Sequence, residues 1–196
     1  MKFFLFTLIT ACCLNSYSQI GATVGLTNTS NEFYDDRDFS LGYTGSVFAR
    51  LNLGPFAFRP ELGFYQSKLA YSWVAPNGTL NSKSSITSNN LHLGNSFEIF
   101  LGPAGVHFGS SLGVIMSQTS RVTIDGNANT VTINFDDIDI LDRAALLGHL
   151  GVTINITKNF FTELRYNTTL ALGANDFDFD VDYRTSMITI SIGLSL

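Results

Sequence analysis

Residues 187–196 read Met187-Ile188-Thr189-Ile190-Ser191-Ile192-Gly193-Leu194-Ser195-Leu196, a strict alternation of two kinds of side chain. Every even position carries Ile or Leu, and every odd position after Met187 carries Thr, Ser or Gly. Because a β-strand directs successive side chains to opposite faces, this segment has one apolar face and one small polar face. The polar face lacks the Lys and Glu of a water-exposed sheet, so the pattern indicates lipid outside and a packed polar interior.

The same alternation recurs in seven further segments of the chain, so the sequence predicts eight strands in all. Their approximate bounds are 20–28, 40–53, 56–74, 79–101, 105–118, 143–156, 160–172 and 184–196. A tilted strand needs roughly 9–11 residues to cross the hydrocarbon core of a membrane. The predicted fold class is therefore all-β, an eight-stranded antiparallel up-and-down transmembrane β-barrel. Pro60 lacks a backbone donor, which predicts a bulge or a missing ladder bond within its strand.

The connections between these strands alternate in length. Tight turns are predicted at 53–55, 102–104 and 157–159. Longer connections are predicted at 29–39, 119–142 and 173–183, with a hairpin tip at Pro76-Asn77-Gly78. Outer-membrane barrels have short periplasmic turns and long extracellular loops. We therefore expect the outer membrane of a Gram-negative bacterium, with both termini periplasmic and the long loops extracellular.

The start of the chain has the features of a secretory signal peptide, which we place at residues 1–18, followed by a barrel domain at 19–196. Lys2, an apolar run and the small residues of Ser16-Tyr17-Ser18 carry this prediction. Both cysteines, Cys12 and Cys13, lie inside the predicted leader, so disulfides would have no part in the barrel. As an alternative, Ile9-Thr10-Ala11-Cys12 resembles a lipoprotein cleavage box, which would leave a diacylated Cys12.

Charged residues within the predicted strands all fall on the inward parity. Three are basic and three are acidic: Arg50, Arg59, Glu61, Glu98, Glu163 and Arg165. Counted from the nearest tight turn they lie at similar heights, and an eight-stranded barrel has an interior just wide enough for side chains. Unpaired charges would be costly there, so we predict a bonded Arg/Glu network that plugs the lumen. The alternative is a gated proton or ion path.

Most of the acidic residues lie in the long connections. They are Glu32, Asp35, Asp36, Asp38, Asp125, Asp136, Asp137, Asp139, Asp142, Asp176, Asp178, Asp180 and Asp182. A hydrated, self-repelling surface is one interpretation. The other is a divalent-cation site, with calcium as the candidate cofactor, because hard oxygen ligands suit such ions. Its candidate ligands are Asp136, Asp137, Asp176, Asp178, Asp180 and Asp182.

Catalytic and transition-metal chemistry find little support in the sequence. A catalytic nucleophile, base and orienting group must meet at hydrogen-bond range. Ser110 and His107 are close in sequence but of opposite parity, so we expect no enzyme. The inward-facing His92, His107 and His149 would bind a metal only if they converged, yet counting from the turns puts them at about ten, two and eight residues.

Several short motifs resemble the PorT-like outer-membrane β-barrel family of Bacteroidota. They are Phe56-Ala57-Phe58-Arg59-Pro60-Glu61-Leu62-Gly63-Phe64-Tyr65-Gln66-Ser67, Gly102-Pro103, Ser110-Ser111-Leu112-Gly113, Glu163-Leu164-Arg165-Tyr166-Asn167 and the leader end Tyr17-Ser18-Gln19. The resemblance implies an eight-stranded outer-membrane barrel, and the founding PorT protein is associated with type IX secretion. The run Phe97-Glu98-Ile99-Phe100-Leu101 departs from the family, in which a Leu-Glu-Ile-Pro-Leu-like run is common.

Three functional hypotheses follow. The first is a small plugged barrel with acidic extracellular loops, an envelope structural or interaction protein whose partners are outer-membrane lipid, lipopolysaccharide and other envelope proteins. The second is an accessory component of a secretion or transport system. The third is a soluble lipocalin-like barrel, which would require the apolar side chains to face inward. No nucleic-acid partner is expected.

Overall fold

The computed structural model describes residues 18–31, 37–38, 40–74, 81–124, 127–133, 139–140, 142–172 and 185–196. The predicted leader and hairpin tip 76–78 lie outside these ranges. The strands are β1 (Ser18–Asn31), β2 (Arg37–Asp38), β3 (Leu41–Leu53), β4 (Phe56–Val74), β5 (Asn81–Leu101), β6 (Ala104–Ile124), β7 (Asn127–Ile133), β8 (Ala144–Asn155), β9 (Phe160–Leu172) and β10 (Thr185–Ser195). No helix within the described ranges is long and apolar enough to cross a membrane.

Eight of these strands form a closed antiparallel ring. Its order is β1-β3-β4-β5-β6-β8-β9-β10, and β10 pairs with β1 to close it. Neighbours in the ring are neighbours along the chain apart from the short β2 and β7, which is the up-and-down arrangement. Closure pairs both edges of every ring strand, so no edge is left to aggregate. The predicted eight-stranded antiparallel barrel is confirmed.

Three tight turns lie at one end of the barrel, which we call the turn end, and the opposite end is the loop end. Gly54 and Gly102 occupy two of these turns with φ of 73° and 70°, a conformation that a side chain would strain. In the third, the Thr157 hydroxyl accepts hydrogen bonds from the backbone N–H groups of Asn159 and Phe160, at 3.2 and 3.0 Å. The start of β1 and the end of β10 also lie at the turn end.

Strands extend beyond the ring at the loop end. β6 continues to Ile124 and pairs with β7, so the predicted connection 119–142 contains a hairpin. The hairpin was missed because its strands are rich in Thr and Ser rather than in alternating bulky residues. We call the extension the projecting sheet: β2, β7 and residues 66–74, 81–89 and 117–124.

The two faces of the barrel wall differ sharply in polarity. The outward Ile190 and Leu150 are 60% and 56% exposed, whereas the inward Arg59 and Glu163 are 0% and 3% exposed. This is the reverse of the facing that the soluble lipocalin-like alternative requires. An apolar exterior over a charged interior suits a wall in contact with lipid.

Pro60 interrupts the β3–β4 ladder, as its missing donor predicts. Partners are registered at Phe48–Glu61 and again at Leu51–Phe58, with none between them. The ladder to β5 continues through Pro60, which pairs with Asn95. The register on the β3 side is the same above and below the gap, so the defect is a missing ladder bond and not a bulge.

A charge placed on the outward face of β10 tests the facing. We expect Ile190→Lys to lower the free energy of unfolding by about 2–4 kcal/mol in lipid bilayers, since a lysine near the membrane midplane is costly. Leu196→Lys, beyond the end of the same strand, should cost about 0–1 kcal/mol. Urea unfolding in vesicles measures both, and equal losses would contradict the assigned lipid face.

Candidate functional site: the lumen charge cluster

The inward-facing charges come from four strands of the ring. Arg50 lies on β3, Arg59 and Glu61 on β4, Glu98 on β5, and Glu163 and Arg165 on β9. The alternation of each strand directs all of them into the lumen. Because β4 and β9 stand on opposite sides of the ring, contacts between their side chains cross the full width of the barrel.

The structure brings the six side chains into one chain of ion pairs, which we call the lumen charge cluster. Arg59 Nη1 lies 2.7 Å from a Glu163 oxygen and 2.9 Å from a Glu98 oxygen. Arg50 Nε lies 2.7 Å from the other oxygen of Glu98. Arg165 donates to Glu163 at 2.8 Å and contacts both oxygens of Glu61. Two links, Arg59–Glu163 and Arg165–Glu61, join opposite walls.

The cluster is electrically balanced and shielded from bulk solvent. Its three guanidinium groups face three carboxylates, and every side chain in it is at most 12% exposed. Isolated ions in so apolar a surrounding would be very unfavourable, whereas paired and hydrogen-bonded ions recover much of their lost hydration. Removing one member is therefore expected to leave an uncompensated buried charge.

Three phenyl rings complete the cluster, and sequence reasoning missed their role. The Arg50 guanidinium lies 5.4, 5.4 and 5.2 Å from the ring centroids of Phe48, Phe100 and Phe161. Such distances allow cation–π attraction. Aromatic residues of outer-membrane barrels commonly form a girdle at the membrane interface, and Phe100 and Phe161 would be candidates by their position near the turns. Phe100 and Phe161 each lie two residues from an inward-facing glutamate on the same strand, Glu98 and Glu163 respectively. Strand alternation therefore places both rings in the lumen.

Glycines on β1 and β10 make room for two of these rings. A Cβ on Gly21 would overlap the Phe48 ring, and a Cβ on Gly193 would overlap the Phe161 ring. The two phenyl rings then meet edge to face, with centroids 5.8 Å apart. Gly193, the glycine on the polar inward face of β10, is therefore explained by the space that the Phe161 ring occupies.

The inward histidines lie closer together than turn counting suggests. The His107 and His149 ring centroids are 5.9 Å apart, because the register pairs Gly109 with His149 and the neighbouring turns are staggered. His149 Nε2 lies 2.8 Å from Ser96 Oγ, and His92 Nε2 lies 3.6 Å from Glu61. Within the described residues, no group of three or more His, Cys, Asp or Glu is arranged to hold a metal ion.

A small cavity lies on the loop side of the cluster. Its volume is about 30 Å³, and its lining includes Tyr65, His92, Asn167 and Thr189 together with Glu163 and Arg165. A space of this size holds about two water molecules. The lining supplies hydroxyl, amide and charged groups that could bond to them.

The candidate calcium ligands fall outside the described ranges. Asp136, Asp137, Asp176, Asp178, Asp180 and Asp182 all lie there. Of the nearby acidic residues, Asp139 and Asp142 are described, and the Asp142 backbone N–H donates to the Asp139 carbonyl at 3.2 Å.

With the barrel and its charged lumen defined, comparison with known families identifies the chain. The family model described as "Outer membrane protein beta-barrel domain" matches residues 11–172. The chain belongs to this family. It is accordingly a transmembrane protein of the outer membrane, and its apolar exterior is the lipid-contacting surface. Among curated proteins, none matches the sequence significantly.

Solved outer-membrane barrels include similar chains. Neisserial surface protein A is 12% identical, with a TM-score of 0.41, over 91% of this chain and 97% of that one. Ail of Yersinia pestis, in a phospholipid bilayer nanodisc, is 12% identical, with a TM-score of 0.45, over 91% and 99%. The N-terminal β-barrel domain of Pseudomonas aeruginosa OprF is 12% identical, with a TM-score of 0.40, over 91% and 99%.

Loss of one lumen charge should destabilise the barrel strongly. We expect Arg59→Met to lower the free energy of unfolding by about 3–5 kcal/mol, because two guanidinium groups then face three buried carboxylates and one negative charge is uncompensated. The double variant Arg59→Met/Glu163→Gln restores neutrality and should lose less than the single variant. Heat-modifiable gel mobility across a urea series measures both. Lys158→Met, on an exposed turn, is the control and should stay within about 0.5 kcal/mol of the parent.

Proposed function

We propose that the protein is a closed outer-membrane barrel that acts as a structural and interaction protein of the cell envelope. In this proposal the turn end and both strand termini face the periplasm, and the projecting sheet and acidic loops face the outside. Short periplasmic turns and long outer loops are the usual orientation of such barrels.

The observation that carries the proposal is the lumen charge cluster. Ion pairs from opposite walls meet inside a ring whose interior is just wide enough for side chains to fill. Phe48 and Phe161 are buried against the same arginines. A lumen filled in this way supports the role of a plug and argues against a solute channel, which in larger barrels is a water-filled interior.

The projecting sheet offers a surface for envelope partners. Its outward face carries Lys68, Lys83 and Arg121, and none of them forms an ion pair with another described residue. Arg121 pairs with Ser85, so Lys83 is its diagonal neighbour at about 7–8 Å. Threonine and serine hydroxyls fill the positions between them. Cations among hydroxyl groups, just above an apolar band, suit the phosphate groups of lipopolysaccharide.

Two further parts of the proposal concern the acidic loops and secretion. The aspartates Asp136, Asp137, Asp176, Asp178, Asp180 and Asp182 are proposed to bind calcium, since carboxylates are ligands of hard cations. The narrower PorT-like assignment, with an accessory role in secretion, rests on the motif resemblance alone. Stable co-purification with secretion components would favour that role over the structural one.

A plugged barrel should not conduct ions. We expect planar bilayers containing the folded protein to show no stable unitary conductance in salt solution, because charged and aromatic side chains fill the lumen. Stable, large conductance steps from folded protein would contradict the plug. Heat-denatured protein added in the same way is the control for membrane leakage.

Binding of lipopolysaccharide should depend on the basic face of the projecting sheet. We expect Lys83→Ser/Arg121→Ser to reduce lipopolysaccharide binding to detergent-solubilised protein about tenfold or more, with less sensitivity to salt than the parent, because two phosphate-binding charges are lost. Lys158→Ser removes a charge at the turn end and is the matched control. An equal reduction in both variants would contradict the assigned surface and its orientation.

A further inference from the structure

A row of unusual residues crosses the outward face of four neighbouring strands. Pro60 on β4 pairs with Asn95 on β5, Asn95 pairs with Ser110 on β6, and Ser110 pairs with Gly148 on β8. Elsewhere in the ring this face carries mainly aliphatic and aromatic side chains. The row therefore marks a local polar and small-residue patch in an otherwise apolar wall.

The patch lies at the depth of the membrane hydrocarbon. On β5, Asn95 is flanked along its face by Leu93 and Phe97, and on β6, Ser110 is flanked by Phe108 and Leu112. Apolar side chains thus lie both above and below it. Among the described residues, Asn95 is the only amide side chain on the outward face with apolar neighbours on both sides along its strand.

Neither polar side chain in the patch has a partner in the described part of the chain. Asn95 is exposed, and neither its amide nor the Ser110 hydroxyl hydrogen-bonds to a described residue. Acyl chains offer no hydrogen bonds, so both groups are unsatisfied when the patch faces lipid. A partner that supplies a donor and an acceptor at this depth would be strongly favoured.

The shape of the wall leaves room for such a partner. A depression of about 420 Å³ covers the patch, with Gly94, Asn95 and Ser110 among its lining residues. Its lining also includes the larger apolar side chains of Phe58, Leu93, Leu112 and Leu146. Small residues let membrane-embedded surfaces approach closely, and the larger side chains beside them form ridges that can pack.

We propose that this patch is the interface of a homodimer within the membrane, formed with a second copy of the chain. An asparagine amide both donates and accepts, so two Asn95 side chains related by a two-fold axis satisfy each other. The ridge of one copy, Phe58 or Leu93, packs into the depression of the other. This inference goes beyond the proposed function and does not depend on the plug. An acyl chain could fill the depression, but it could not satisfy the amide.

Cross-linking in bilayers tests the interface directly. With Cys12 and Cys13 replaced by serine, Leu93→Cys keeps the Asn95 amide and introduces a single thiol beside the proposed two-fold axis. We expect oxidation in proteoliposomes to give a disulfide-linked dimer. Val24→Cys lies on β1, on the opposite side of the ring, and should give little of it. Equal cross-linking of the two variants would show random collision and overturn the proposal.

A second measurement separates association from folding. Single-molecule photobleaching in vesicles of increasing lipid-to-protein ratio gives the fraction of dimer. We expect Asn95→Leu to weaken dimerisation at least tenfold while its heat-modifiable mobility stays that of a folded barrel. The proposal fails if the parent protein is monomeric at every ratio, if Asn95→Leu dimerises as the parent does, or if Leu93→Cys in native membranes cross-links only to a different membrane protein.

Discussion

A chain surrounded by lipid has no water to satisfy its backbone or its charges, and this constraint governs the whole molecule. The closed ring satisfies the backbone N–H and C=O groups, because β10 pairs with β1 and leaves no open edge. The lumen charge cluster satisfies the charged side chains, because each carboxylate contacts a guanidinium group inside the barrel. Aliphatic side chains can then cover the outside without interruption by charge.

The narrowness of the ring explains how the lumen is filled. Strands β4 and β9 face each other across it, so Arg59 reaches Glu163 and Arg165 reaches Glu61 without any loop folding inward. The phenyl rings that pack beside these charges need space, and glycines on the neighbouring strands provide it. Gly21 and Gly193 leave room for Phe48 and Phe161. Charge balance and volume are thus solved together, since every group that enters the lumen displaces another.

The exterior of the barrel is polar in two places, the projecting sheet and the patch at Asn95 and Ser110, and the two differ in their surroundings. On the projecting sheet, lysine and arginine lie beyond the apolar band, where water and headgroups can solvate them. At Asn95 and Ser110 the polar groups lie within the band, where lipid cannot. The first departure suits ligands from the membrane surface, and the second suits a protein partner inside the bilayer.

Local pattern alone determined the number of ring strands, the facing of their membrane-spanning parts and the inward position of all six lumen charges, because alternation of side chains is a property of each strand by itself. The tight turns were equally readable from Gly54-Pro55 and Gly102-Pro103. The hairpin of β6 and β7 was missed, since Thr-rich strands lack the bulky alternation. Only the tertiary structure decided which inward groups meet. The stagger between strands, set by closure of the ring, brought His107 beside His149 and the phenyl rings onto Arg50, and no single segment records that stagger.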